Sequence, residues 1–215
     1  MKHEKEWCRY TELIAQRPEL FQNNGPLKIV TDWEIVEKYQ IQTGEIIGVR
    51  YESPYNILVV DLVYEKEGMY FTYERLLPAV AHGAVVCIPE FHGQYILLKQ
   101  YRHSMRDYQY AFPRGYATDG LAGGENAKKE LEEELGATIE NVEYLGDVIA
   151  DSGIAGNKVG IYLCHITKFQ PNQGHEGIVD SLCVTKDDLA NMIRSNKLSD
   201  GFSLSAYSHL ILMEK

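Results

Sequence analysis

Residues 115–137, GYATDGLAGGENAKKELEEELGA, contain the pattern that most constrains how this chain can fold. Glu130, Glu133 and Glu134 are spaced i, i+3 and i+4, which places their carboxylates within about 100° of arc on one helix face. An adjacent stripe is apolar and can face a core. That stripe consists of Ala127, Leu131 and Leu135. The segment therefore predicts an amphipathic helix whose polar face concentrates negative charge.

The three glutamates allow more than one interpretation. Carboxylates on one helix face repel each other by roughly a few tenths of a kcal/mol per i,i+4 pair. A protein tolerates this cost on a solvated surface, and an acidic helix in a scaffold protein would need no further explanation. Alternatively, the cluster holds a hard cation such as Mg²⁺, which prefers carboxylate oxygens.

The surrounding residues favour the metal site. A glycine loop, a helix with these glutamates and a closing glycine resemble the signature of the Nudix hydrolases, G-x5-E-x7-R-E-U-x-E-E-x-G-U, where U is a bulky aliphatic residue. The positions that match are Gly115, Glu130, Leu131, Glu133, Glu134 and Gly136. The resemblance implies that Glu130, Glu133 and Glu134 are catalytic and bind Mg²⁺, with Mn²⁺ as a substitute.

Three positions depart from the signature. Leu121 replaces Glu, Lys129 replaces Arg, and Ala137 replaces an aliphatic residue. In the family the missing Glu–Arg pair braces the loop against the helix, so the departures affect the scaffold and leave the metal-binding set complete. Glu125, four residues before Lys129, could supply a substitute ion pair. The departures also keep open a second interpretation, a catalytically weakened Nudix-fold module that binds or senses a nucleotide.

Two segments resemble the ADP-ribose pyrophosphatase-like branch of the family. Residues 100–102, QYR, resemble its Q-[FY]-R, which implies that Arg102 faces the substrate phosphates. A strand-end arginine that extends into water is the alternative. Residues 112–115, FPRG, resemble E-x-P-x-G, which implies that the carbonyl of Arg114 completes the oxygen shell of the metal and that Gly115 borders the substrate.

Two more residues enter the predicted site. Glu176 lies where that branch has a glutamate that helps to activate the attacking water, although a lone loop carboxylate could equally be an exposed surface residue. Trp33, or a tyrosine near it, could stack on the base of a nucleotide. The same branch forms a two-fold homodimer through its front sheet, which implies that Trp33 lines the pocket of a partner chain.

The composition excludes some partners. A formal charge of −10 over 215 residues argues against a surface that coats nucleic acid. The N-terminal residues MKHEKEW lack an apolar signal region, and no segment approaches the ~20 apolar residues that span a membrane. Three cysteines lie in apolar runs and are expected to be buried thiols, which is typical of a reducing cytoplasm. They are Cys87, Cys164 and Cys183.

The order of elements predicts an α/β protein in two parts. Residues 1–77 are expected to form a helix at 4–16 and a small antiparallel sheet, with a hairpin turn at Glu67-Gly68. Residues 78–215 alternate buried strands with helices, and Thr185 followed by Asp188 predicts a capped helix at 186–195. The resemblance implies that this second part is a Nudix α/β/α sandwich with a mixed sheet, after an N-terminal dimerisation region. The function it implies is Mg²⁺-dependent hydrolysis of the pyrophosphate bond of a nucleoside diphosphate linked to another group, ADP-ribose foremost.

Overall fold

The computed structural model describes residues 4–66, 68–172 and 174–213, so Glu67 of the expected hairpin turn lies outside the described residues. The chain divides into two compact units. One comprises Met1–Ala79 with Asp151–Gly156, and the other Val80–Ala150 with Asn157–Lys215. The short segment at 151–156 therefore belongs with the N-terminal residues, which a boundary at residue 77 does not anticipate.

The first unit is a small antiparallel sheet covered by two helices. Its helices are α1 (Glu4–Gln16) and α2 (Trp33–Thr43), with a 3-10 turn at Pro18–Phe21 after α1. Its strands are β1 (Lys28–Ile29), β2 (Gly48–Glu52), β3 (Asn56–Lys66) and β4 (Met69–Pro78). β3 is central and pairs with all three others. Tyr10 and Leu13 of α1 and Val36 of α2 pack on Val59 and Leu62 of β3, so helices of the same chain cover the apolar face.

Helix α2 was not predicted from the sequence, which indicated a strand up to Trp33 and no element from there to Gly44. The side chain of Asp32 caps it by accepting a hydrogen bond from the N–H of Glu34 at 2.9 Å. Gly44 ends it in the left-handed conformation at φ 77°. Asp32 and Gly44 are both typical of helix ends. The β-branched residues before Asp32 favour a strand, and for this reason the helix was not predicted.

The second unit is built on a seven-stranded mixed sheet. The strands are β5 (Val85–Phe91), β6 (Gln94–Arg102), β7 (Asp107–Ala111), β8 (Arg114–Gly115), β9 (Thr138–Val148), β10 (Val159–Lys168) and β11 (Ile178–Val184). The main order is β11-β6-β5-β10-β9, and only the pairing of β5 with β10 is parallel. The helices are α3 (Gly123–Leu135), α4 (Lys186–Arg194) and α5 (Gly201–Leu212).

Alternating residues of the central strands face different helices. Val85 and Cys87 of β5 pack with Leu131 of α3, whereas Val86 and Ile88 pack on the opposite side with α4 and α5. This alternation follows from the two-residue period of a strand. Helices therefore cover both faces of the sheet, and the predicted α/β/α sandwich with a mixed sheet is confirmed.

The predicted features of α3 and α4 are present. The apolar stripe of α3 is fully buried, and Gly136 ends the helix at φ 54°. Thr185 and Asp188 form the predicted capping box of α4. Cys87 and Cys164 are buried, but Cys183 is exposed, which corrects the prediction for that residue. β11 lies at the edge of the main strand order, and its Leu182 and Val184 pack in the core beside α4, so the side chain of Cys183 points to the opposite face.

Strands β5 and β6 separate towards one end of the sheet. They pair with each other only at Glu90–Tyr95 and Phe91–Gln94. Beyond that point β7 runs along β6, the chain turns at residues 112–113, and β8 returns along β5. This divergence leaves the C-terminal end of β6 and strand β8 at the same, open end of the sheet. In the described ranges, no helix is long and apolar enough to cross a membrane.

Candidate functional site

The site begins where β8 contacts helix α3. A Cβ atom built on Gly115 would lie 2.0 Å from Cδ of Glu130 and 2.4 Å from its Oε1. Only a glycine leaves room for that carboxyl group, because no side chain could occupy the same volume. Glu130 is consequently held against the backbone of β8, with 14% of its side chain exposed.

Asn126 braces the loop that precedes α3. Its side-chain amide is fully buried and donates hydrogen bonds from Nδ2 to the carbonyls of Gly83 and Tyr116, both at 2.8 Å. This residue could not be identified from the sequence, since a single Asn near the start of a helix can form many different local hydrogen bonds. The bracing role therefore belongs to Asn126. Glu125, suggested there as a partner of Lys129, pairs instead with Lys128 at 2.9 Å.

Lys129 joins two of the predicted metal ligands. Its Nζ lies 2.8 Å from Oε2 of Glu133 and 3.4 Å from Oε1 of Glu130. Glu133 is exposed and Glu130 half-buried, so the ammonium group partly neutralises the outer side of the cluster. Both contacts are partly exposed ion pairs, and water weakens the attraction between such charges.

Glu134 lies on the inner side of the cluster and is 3% exposed. Burial, and then the negative charge of Glu130, raise the pKa of Glu134 to about 8. The backbone N–H of Arg114 donates a hydrogen bond to the Glu134 carboxyl and opposes that shift. Within residues 4–66, 68–172 and 174–213, the Oε2 atom of Glu134 has no hydrogen-bond partner. A buried acidic oxygen without a partner raises the free energy of the folded state unless a cation or a hydrogen-bond donor binds to it.

The backbone before Arg114 is tied to β5. The carbonyl of Pro113 accepts a hydrogen bond from the N–H of Cys87 at 2.9 Å, which ties that residue to β5. Successive residues of a strand direct their backbone groups to opposite sides. Arg114 therefore directs its N–H away from β5, which agrees with its hydrogen bond to the Glu134 carboxyl. The role of its carbonyl as a metal ligand stays a prediction.

Arg102 ends β6 at the same open end of the sheet. Burial is the main cause that lowers its pKa, followed by the positive charge of Arg114, while Asp200, Glu134 and Glu176 raise it. Its Nε atom is buried and finds no hydrogen-bond acceptor in the part of the chain that the structure describes. The side chain is therefore not simply extended into water, which was the alternative for a strand-end arginine.

Glu176 approaches this cluster from the segment before β11. Its side chain is exposed, and its carbonyl accepts a hydrogen bond from Nε2 of Gln100 at 2.8 Å. Its negative charge contributes to raising the pKa of Glu130 and of Glu134. Its backbone is left-handed at φ 45° and ψ 31°, which is uncommon for a residue other than Gly, Asn or Asp. The surrounding structure thus holds this carboxylate in a conformation that its residue type does not favour.

The structure thus brings together most of the predicted site. The side chains that interact at the open end of the sheet are Arg102, Glu130, Glu134 and Glu176. Among the described residues, no group of three or more His, Cys, Asp or Glu side chains is placed so that it could hold a metal ion as it stands. Trp33 belongs to the first unit, where its half-buried ring lies 5.4 Å from that of Trp7. Its role in the pocket of a partner chain stays a prediction.

Comparison with known proteins shows a shared fold. The solved structure titled "Crystal structure of ADP compounds hydrolase" aligns with a TM-score of 0.65, covering 77% of this chain and 89% of that one. The sequence identity is 17%, so the likeness concerns the fold alone. No protein-family model matches the sequence, and no curated protein matches it. The α/β fold class expected from the glycine-and-glutamate signature is therefore confirmed.

Proposed function

We propose that this protein hydrolyses the pyrophosphate bond of a nucleoside diphosphate linked to another group, with ADP-ribose as the leading substrate and Mg²⁺ as the cofactor. The observation that carries the proposal is the buried carboxyl group of Glu134, whose Oε2 lacks a partner among the described residues and which interacts with Glu130 and Arg102. The matched signature positions and the fold shared with an ADP compounds hydrolase give further support.

The residues present fit a divalent cation. Glu134 has a buried oxygen without a partner among the described residues, and the resemblance adds the carbonyl of Arg114 as a further ligand. Glu130 and Glu133 can join once they leave Lys129, a change that costs little because these contacts are partly exposed. A set of carboxylates and a carbonyl, with no sulfur or imidazole, suits Mg²⁺ and also Mn²⁺.

Each residue then has a distinct task. A bound divalent cation would neutralise the diphosphate and lower the pKa of the attacking water. The planar guanidinium of Arg102 binds phosphate oxygens and compensates the charge that moves to the leaving group. Glu176 accepts the proton of the water, for which an exposed loop carboxylate close to the cluster is well suited.

Lys129 supports a second candidate function, a nucleotide-binding or regulatory module of low catalytic activity. Its ammonium group pairs with both Glu130 and Glu133 and so competes with a metal ion for two of its ligands. Together with Leu121, it replaces the pair that braces the family signature. In that case the protein would bind the nucleotide and leave it intact.

A direct assay separates the two functions. The protein is incubated with ADP-ribose and Mg²⁺, and AMP formation is followed, with the chelated protein as the blank. A panel of dinucleotides, nucleotide sugars and coenzyme-like diphosphates, each with Mg²⁺ and with Mn²⁺, then ranks the substrates. AMP formation that stops on chelation supports hydrolysis. Nucleotide binding without cleavage of any member of the panel supports the regulatory module.

The proposal extends to assembly and location. A homodimer is proposed from the resemblance and from the prevalence of two-fold oligomers. The apolar face of the first unit is already covered by α1 and α2, so support from its surface comes from scattered exposed apolar residues, among them Ile41, Tyr51 and Met69. A cytoplasmic location is proposed because all four cysteines are free thiols.

A further inference from the structure

A second guanidinium group lies at the open end of the sheet. The Nη1 atom of Arg114 is 3.5 Å from Oδ1 of Asp200, and its Cζ atom is 5.0 Å from the centre of the Phe202 ring. Nothing in the sequence marked this side chain, because the family pattern assigns a role to the backbone carbonyl at this position. The side chain is 28% exposed, so it is held by the protein and still reachable by a ligand.

Asp200 has a fixed position of its own. It is 6% exposed, and its Oδ2 accepts hydrogen bonds from the N–H and the Oγ–H of Ser203 at 2.9 and 2.8 Å. The same hydroxyl of Ser203 accepts a hydrogen bond from the N–H of Phe112 at 2.9 Å. This chain of contacts ties the start of α5 to the segment before β8. The guanidinium of Arg114 is therefore oriented by the fold without a ligand.

Arg114 and Arg102 repel each other. The positive charge of Arg114 is, after burial, the largest cause that lowers the pKa of Arg102. Arg102 also keeps its buried Nε without an acceptor in the described part of the chain. Two like charges and an unpaired buried donor both cost free energy, and an anion with several oxygens would remove both costs.

We propose that Arg114 binds the substrate diphosphate together with Arg102, each guanidinium taking oxygens of a different phosphate, so that the site selects a diphosphate over a monophosphate. The inference rests on the proposed function and adds a specificity-determining residue to it. A guanidinium suits this role because its donors match phosphate oxygens in pairs. A monophosphate has oxygens on one phosphorus atom only and loses one of the two contacts. The pair would therefore hold the substrate and favour release of monophosphate products.

Calorimetric titration with ADP and with AMP, both in Mg²⁺, tests this inference. Arg114→Met removes the charge and keeps the length of the side chain. We expect it to weaken ADP binding roughly tenfold, as for the loss of one charge-assisted hydrogen bond, and AMP binding by less than about twofold. Arg194→Met is the matched control. Arg194 is an exposed arginine of α4 that contacts Asn191, and its variant should bind both nucleotides as the wild type does.

Several results would overturn the inference. They are unchanged ADP affinity in Arg114→Met, an equal loss for ADP and AMP, and a wild-type protein that binds no ADP. If Arg114→Met does not fold, Arg114→Gln carries the same expectation, since the amide can still donate to Asp200 without the charge. The titration needs no turnover. If the protein cleaves no substrate but Arg114→Met selectively loses affinity for ADP, only the proposed function is refuted. If the protein is active and Arg114→Met binds ADP as the wild type does, only this inference is refuted.

Discussion

The carboxyl group of Glu130 lies directly against the backbone of Gly115, where a Cβ atom would approach Cδ of Glu130 to 2.0 Å. Gly115→Ala should therefore displace Glu130 and lower the affinity for Mg²⁺ and the activity by about tenfold or more. Magnesium titration followed by calorimetry measures the effect. Gly124→Ala is the control, because its nearest neighbour would be Cγ1 of Val142 at 3.9 Å, an ordinary contact. Equal Mg²⁺ affinity in both variants would contradict the placement of Glu130.

Glu133→Gln and Glu134→Gln should each remove most of the hydrolytic activity, because each deletes a charged metal ligand at similar volume. Glu133 is exposed, so its variant should change the free energy of unfolding by no more than about 0.5 kcal/mol. Glu134 is buried, but a neutral amide suits a buried position. Glu132→Gln, on the exposed outer side of α3, should keep full activity. Near-wild-type turnover of both variants at limiting Mg²⁺ would show that the metal assignment is wrong.

The stability of the metal-free protein should fall as the pH rises. The pKa of Glu134 is about 8 in the folded protein, well above the value of about 4 for an exposed glutamate. Between these two values the folded state binds more protons than the unfolded state, so the free energy of unfolding decreases with pH. Urea denaturation across this range measures the slope, which should be smaller in Glu134→Gln. Mg²⁺ should bind more tightly towards pH 8, since it requires the ionised carboxylate. An identical slope in wild type and variant would contradict the assignment to Glu134.

Asn126→Asp should destabilise the protein by about 1–3 kcal/mol. The substitution preserves shape but places an acidic oxygen where Nδ2 donates to the carbonyls of Gly83 and Tyr116. Chemical denaturation measures the loss, and Asn191→Asp on the exposed surface of α4 controls for the added charge. If both variants were equally stable, Asn126 would not be the brace of this loop.

The protein should be a homodimer at micromolar concentration. Light scattering coupled to size exclusion gives the mass, which should be about twice the 24.5 kDa of one chain. Trp33→Ala tests the proposed contact with the pocket of a partner chain and should raise KM more than it lowers kcat. A monomer with full activity would refute both statements.

Local sequence patterns were enough to predict α3 and its C-terminal end. The spacing of Ala127, Leu131 and Leu135 defines a buried stripe, and Gly136 ends the helix because glycine adopts a left-handed backbone readily. The capping box at Thr185 and Asp188 is a similar case. Each of these features depends on residues within a few positions of one another, so the sequence contains all the information that they require.

The sequence could not decide how the carboxylates differ from one another. Glu133 and Glu134 are neighbours with the same chemistry, but Glu133 is exposed and pairs with Lys129, whereas Glu134 is buried and interacts with the backbone of Arg114. That difference arises where β8 packs on α3. The position of the Arg114 side chain likewise depends on Asp200, which lies 86 residues further along the chain. The burial of each side chain at the site and the charges around it depend on residues that are distant in sequence, so only the tertiary structure decides them.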